Sequence, residues 1–124
     1  MTTLVLHRIR PIAPGPDAAP ASCEPERVWI GWIEFDLLLG DVHSLKEKRA
    51  VVKPLVNALW KQFPVAAAET GGQDLHRRVQ IGATAVSGEA AWVTEVLDRV
   101  ERFVADRPET QLLSARRGLA NAED

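Results

Sequence analysis

The alternation of apolar and polar positions becomes regular at Val28. In VWIGWIEFDLLL, Trp29, Ile33, Phe35, Leu37 and Leu39 fall on one side and Trp32, Glu34 and Asp36 on the other. That is the period of a strand with one buried face. Ser44 and Glu47 then have the S-x-x-E spacing of a capping box, which makes Ser44 a helix N-cap. Leu45, Val52, Leu55, Val56, Leu59 and Phe63 recur at helical spacing, predicting a helix that runs to Gln62. Pro54 lies inside it, where proline removes a hydrogen bond and crowds the preceding turn at about 3 kcal/mol. One kinked helix is expected. PVAAAET reads as a short second strand and GGQD as a turn. RRVQIGATAV reads as a third strand with Val79, Ile81, Ala83 and Ala85 inward. In SGEAAWVTEVLDRVERFVADRP, an apolar stripe of Val93, Val96, Leu97, Val100 and Val104 predicts a second helix, stopped by Pro108. Glu95 and Arg99, and Asp98 and Arg102, are spaced as i,i+4 pairs on it. ETQLLSARR reads as a fourth strand, and residues 118–124, GLANAED, as a frayed tail.

The order βαββαβ predicts an α+β, ferredoxin-like fold over residues 28–117. Its four-stranded antiparallel sheet has the order 4-1-3-2, with two helices on one face. In that topology the segment GDVHSLKEKR and the hairpin TGGQDLHRR meet at one end of the sheet. Residues 1–27 differ in kind, because RPIAPGPDAAPASCEPER alone holds five of the eight prolines. Such a segment buries too little apolar surface to offset its ordering entropy and reads as a disordered tail. Its removal is expected to leave the fold intact.

Composition narrows the classes. The chain has 124 residues, enough for one domain, with 46% hydrophobic and 26% charged residues. A net charge of −2 excludes a global field favouring nucleic acid. The charge is nonetheless uneven: residues 41–80 hold seven Lys/Arg against four Asp/Glu, and residues 81–124 five against eight. An anionic partner would meet the first half of the domain. Cys23 is the only cysteine, which excludes an internal disulfide. No apolar run is long enough to span a bilayer, and MTTLVLHRIRP lacks a secretory pattern, so a cytoplasmic location is expected.

The chemistry gathers in DVHSLKEKRAVV. Lys46, Lys48 and Arg49 stand in the first helical turn, where the helix dipole disfavours cations by roughly 0.3–1 kcal/mol each. An anion site would explain them, since free N–H groups at a helix start already favour phosphate. Lys46, Arg49 and Lys53 follow i, i+3, i+7 along one shoulder, and Arg77 and Arg78 approach from the hairpin. His43, Ser44, Gln73 and His76 complete the candidate set. The plainer reading is a solvated charged turn, with Glu47 and Asp41 offsetting the cations and Lys48 laid along the apolar face. His43 and His76 lie near Asp41, Glu69 and Asp74, but their spacing matches no helix-based ligand motif, so no metal or other cofactor is expected. Trp32 faces away from the helices, where RNA-recognition sheets stack bases. RRVQIGAT lacks the matching aromatics, and Glu34 and Asp36 would repel phosphates; the plainer reading is that part of this face is covered, a second copy of the chain being one such cover. Phosphate-loop, nucleophile-elbow and H-E-x-x-H patterns are absent from the sequence, and Ser44 next to His43 is explained by capping, so no catalytic residue is assigned.

HSLKEKR, QDLHRR, VLDRVERFV and PETQLLS together resemble the YlxP-like family, a bacterial domain-of-unknown-function family, over residues 28–117. The resemblance implies a small cytoplasmic ferredoxin-like protein from a translation and ribosome-maturation context, and no particular reaction. The chain departs from the family in three places: His76 stands where members usually carry Trp, Pro54 interrupts the first helix, and the tail before Val28 is extra. The function expected is a non-catalytic accessory protein of translation that binds RNA or a ribosomal subunit, with neither DNA nor membrane as partner. The alternative is a dimeric sensing module for a small anionic ligand; a hydrolase using the same pocket is the weakest reading.

Overall fold

The computed structural model describes residues 2–8, 28–72, 75 and 77–121. In chain order the elements are β1 (Thr2–Arg8), β2 (Trp29–Leu39), α1 (Leu45–Gln62), β3 (Ala66–Gly71), β4 (Arg78–Ser87), α2 (Ala90–Ala105) and β5 (Thr110–Asn121). The sheet order is β1-β5-β2-β4-β3. Its β5-β2-β4-β3 part is antiparallel throughout, which is the ferredoxin-like arrangement the sequence predicts. Alternation decides the layers. Ile33, Phe35, Leu37 and Leu39 of β2 and Val79, Ile81, Ala83 and Ala85 of β4 are buried. They pack with Val52, Leu55 and Leu59 of α1 and with the stripe of α2, Val93 through Val104. The register pairs Phe35 with Ile81 and Leu37 with Val79, so the inward sets of both strands share one face. None of the helices described is long and apolar enough to cross a membrane.

Two boundaries differ from the sequence reading. Thr2–Arg8, assigned above to a disordered tail over 1–27, form β1, which pairs in parallel with Ala115–Asn121 of β5. The heptad TTLVLHR is proline-free and carries β-branched Thr2, Thr3 and Val5; pooling it with the Pro-rich stretch that follows masked a strand pattern. The stretch 9–27 lies outside the described residues. Gly118–Asn121, expected to fray, continue β5, pairing with Trp29–Trp32 on one side and Val5–Arg8 on the other. Gly118, Ala120 and Asn121 carry little strand propensity, but two neighbouring strands supply the ladder. Residues 122–124 lie outside the described residues.

α1 runs as one helix through Pro54, which is solvent-exposed. Its 18 residues hold the element together despite the missing N–H, because Val52, Leu55 and Leu59 anchor it on the core. The turn after β3 requires glycine: Gly72 has φ +77°, and a Cβ there would stand 2.9 Å from the Arg78 carbonyl oxygen.

Candidate anion-binding site

The helix start forms as its sequence implies, with one change. Ser44 is extended and its Oγ accepts from the Glu47 N–H at 3.1 Å. The Glu47 carboxylate reaches back to the backbone N–H of His43 at 2.8 Å, one residue before the cap. Glu47 also puts an acid into the first turn, which offsets part of the dipole penalty on the neighbouring cations. His43 Nε2 stands 2.9 Å from Asp41 Oδ1, with both side chains largely exposed.

The β2–α1 loop and the β3–β4 hairpin do meet. Leu39 N–H donates to the Arg77 carbonyl at 2.8 Å, and Arg77 Nε donates to the Gly40 carbonyl at 3.1 Å. The third link is Lys48, which is only 3% exposed. Its ammonium donates to the carbonyls of Gly72 and Leu75, at 2.5 and 2.8 Å, and lies 3.5 Å from a Glu69 carboxylate oxygen. Gly72 O accepts from Leu75 N–H as well, so one buried cation ties the hairpin turn to the helix. Lys48 therefore leaves the set of outward cations; its burial also exceeds the surface snorkelling expected for it.

The remaining cations separate. Arg78 forms a two-pronged pair with Asp36 (Nε to Oδ1 at 3.2 Å, Nη2 to Oδ2 at 2.5 Å) on the sheet face away from the helices. Arg77 stays at the loop end. Lys46, Arg49 and Lys53 are exposed on α1, and among the described residues no carboxylate pairs with them. Arg49 and Lys53 line a cleft of about 500 Å³ between α1 and β3, with Leu45, Val52, Lys48 and Glu69 as the other walls. Lys46 stands outside that lining. Gln73 and His76, and Asp74 of the metal reading, lie outside the described residues.

Glu69 is the participant the sequence reading did not use as a partner for Lys48. The signal was present: in AAAETG, Glu69 shares the inward face with Ala67, and a carboxylate placed inward needs a cation. On α2, Glu95 and Arg99 pair at 2.6 Å as expected. The expected Asp98–Arg102 side-chain pair is replaced. Arg102 Nε reaches the Asp98 backbone carbonyl at 3.4 Å, while the Asp98 carboxylate takes Arg117 Nη1 at 2.6 Å. Arg117 is 9% exposed and also bonds Glu101 at 3.0 Å, so α2 is clamped to β5.

The opposite face of the sheet carries Trp32, lying over Gly118, where a Cβ would come within 2.0 Å of the indole nitrogen. Arg116 pairs with Glu34 there at 2.5 Å, and Thr70 Oγ1 donates to the same carboxylate at 2.9 Å. Trp60, at the end of α1, donates its indole N–H to the Ala67 carbonyl at 2.8 Å.

Comparison with known proteins places this architecture. A family model described as "Protein of unknown function (DUF503)" matches residues 30–117, from β2 to the middle of β5. The "Uncharacterized protein YlxP" of Bacillus subtilis (strain 168) is 37% identical over 82 residues, covering 66% of this chain and 89% of that protein. The matched span holds both helices, the buried lysine and the exposed cations of α1, and the chain belongs to the DUF503 family.

Proposed function

We infer that this protein is a non-catalytic RNA-binding accessory of translation in the cytoplasm, docking on RNA or a ribosomal surface along α1. The observation that carries this reading is the grouping of cations without a carboxylate partner along one side of α1; among the described residues Arg77 and Arg102 also lack one, but each donates to a backbone carbonyl. Arg78, Arg99, Arg107, Arg116 and Arg117 each contact a carboxylate. Lys46, Arg49 and Lys53, spaced i, i+3, i+7, have no such partner among the described residues. Unpaired cations along one helical shoulder present a strip of positive potential, whereas paired ones largely cancel. A strip also suits a polyanion better than a single charge.

The cleft beside Arg49 and Lys53 supports a second reading, a small anionic ligand held in a sensing module. Salt dependence separates the two. Binding to single-stranded RNA falls with log salt by about 0.7 per neutralised phosphate. Replacing Lys46, Arg49 and Lys53 together with Gln should lower that slope by roughly two units, while Arg99→Gln leaves it unchanged. Co-sedimentation with ribosomal subunits at low salt, and release at high salt, would accompany this. A shallow slope in the parent, with saturable binding of inorganic phosphate, would replace the first reading by the second.

A further inference from the structure

Given the RNA reading of α1, on which this rests, we propose that the cleft between α1 and β3 is a guanine pocket. Arg49 and Lys53 hold the phosphate of a nucleotide there, and Glu69 takes the Watson–Crick edge of its base. The cleft carries both signs of charge. Leu45, Arg49 and Lys53 are spaced i, i+4, i+8 and form a row along its helical wall, with the buried Lys48 and Val52 deeper in the same wall. Side chains four apart on a helix have Cβ atoms ~6 Å apart, so Arg49 and Lys53 can close on one phosphate. Glu69 enters the cleft from β3, where it stands in register with the buried Ile81. The volume of about 500 Å³ lies within the range of small-molecule sites, roughly 300–1,000 Å³.

The carboxylate decides the class of ligand. The Lys48 ammonium gives two N–H groups to the Gly72 and Leu75 carbonyls, which leaves one for Glu69 Oε1, 3.5 Å away. That separation exceeds the ~2.8 Å of a charge-assisted hydrogen bond. Glu69 Oε2 has no partner among the described residues. The side chain is 30% exposed and lines the cleft, so its acceptor capacity is open to a ligand. A simple anion would be repelled by it. A ligand with an anionic end for Arg49 and Lys53 and a neutral donor edge for Glu69 satisfies both walls. Unpaired RNA bases offer such edges. Guanine presents two adjacent donors, N1–H and the N2 amine, which the two oxygens of one carboxylate accept together. Adenine and cytosine offer one donor beside an acceptor nitrogen, and uracil one donor between two carbonyls, so each turns a lone pair toward the carboxylate. Val52 and the half-exposed Leu45 supply apolar surface for the ring.

The test is fluorescence anisotropy of the full chain with short uridine RNAs that carry one central guanosine, inosine, adenosine or cytidine. Calorimetry with the 5′-monophosphates of guanosine and adenosine runs beside it. Guanosine RNA should bind at least about 10-fold more tightly than adenosine or cytidine RNA. Inosine, which keeps N1–H and lacks the N2 amine, should fall between. Glu69→Gln should abolish the preference, since an amide offers one acceptor oxygen and one donor group. Arg49→Gln should weaken all these RNAs alike and lower the salt slope by ~0.7, with the preference intact. Arg99→Gln, whose side chain pairs with Glu95 on α2, should change neither. Melting verifies that the Glu69 variant folds, and the base series on the parent needs no variant. Equal binding of the RNAs with a salt slope that Arg49→Gln lowers overturns the pocket and leaves the RNA reading standing. A preference that the folded Glu69 variant retains also overturns the pocket. Selective binding of guanosine monophosphate without RNA binding supports the pocket for a free nucleotide and sinks the RNA reading. Failure of every probe to bind overturns both.

Discussion

Replacing Lys48 by Met tests the claim that this residue is a structural tie. Met keeps most of the aliphatic stem and removes the ammonium. The side chain is only 4% exposed, so its hydrogen bonds to the Gly72 and Leu75 carbonyls are largely shielded from water. Hydrogen bonds from a charged donor contribute about 1.5–3 kcal/mol each, so the gross loss is roughly 3–6 kcal/mol. Two effects offset it. Removing a buried ammonium relieves a desolvation penalty of several kcal/mol. The freed carbonyls lie on a turn whose Leu75 is 55% exposed, where water can replace the lost donor. A net destabilisation of about 2 kcal/mol remains. For a chain of this size that corresponds to a melting temperature lower by about 8 °C. Hydrogen exchange should localise the damage: amides around Gly72 and Arg77 should exchange faster while those of β2 and β5 hold. RNA binding should keep its salt slope, because the ammonium does not face solvent. An unchanged melting temperature with unchanged exchange in the turn would refute the tie. A salt slope reduced as much as by Arg49→Gln would put Lys48 back among the contact residues.

Pro54→Ala should stabilise the protein by about 1–2 kcal/mol in urea unfolding, less than the ~3 kcal/mol cost of a helix-interior proline, because α1 already runs through the position; destabilisation would mean that proline favours this local geometry. Gly118→Ala should destabilise by about 1–3 kcal/mol and alter tryptophan emission, since the new methyl must displace the Trp32 indole. Deleting residues 1–8 should lower the melting temperature by more than about 4 °C, because the whole β1–β5 ladder goes with them; a shift below a degree would show that β1 adds nothing to stability.

The fold was largely legible in the sequence because one physical rule dominates it. Strand alternation in WIGWIEFDLLL and RRVQIGATAV, and the Val/Leu stripe of α2, specify which faces are buried, and one arrangement of two helices and four strands satisfies them all. β1 and the end of β5 were not legible for the opposite reason. The pattern of TTLVLHR is short and is hidden by the Pro-rich stretch after it, and GLAN is a strand only because β2 and β1 lie on either side of it. The candidate site was legible in place and less so in detail. Topology alone brings the β2–α1 loop to the β3–β4 hairpin. It does not say that Lys48 turns inward while Arg49 turns outward, which depends on where Gly72 and Leu75 leave their carbonyls. Nor does it send Arg78 to Asp36, since that follows from β2–β4 register.

The Trp60–Ala67 hydrogen bond has a consequence for how this sheet can grow. β3 is the last strand on its side, and the outer rim of such a strand is a template on which any extended chain can add. Ala67 would be a point of attachment there, but its carbonyl is already taken and an indole from α1 overhangs it. A strand arriving at that rim must dislodge a bulky ring before it can form its first rungs. The protein can thus keep a short, alanine-rich terminal strand without inviting fibrous self-addition, and Trp60 works as a gatekeeper against it.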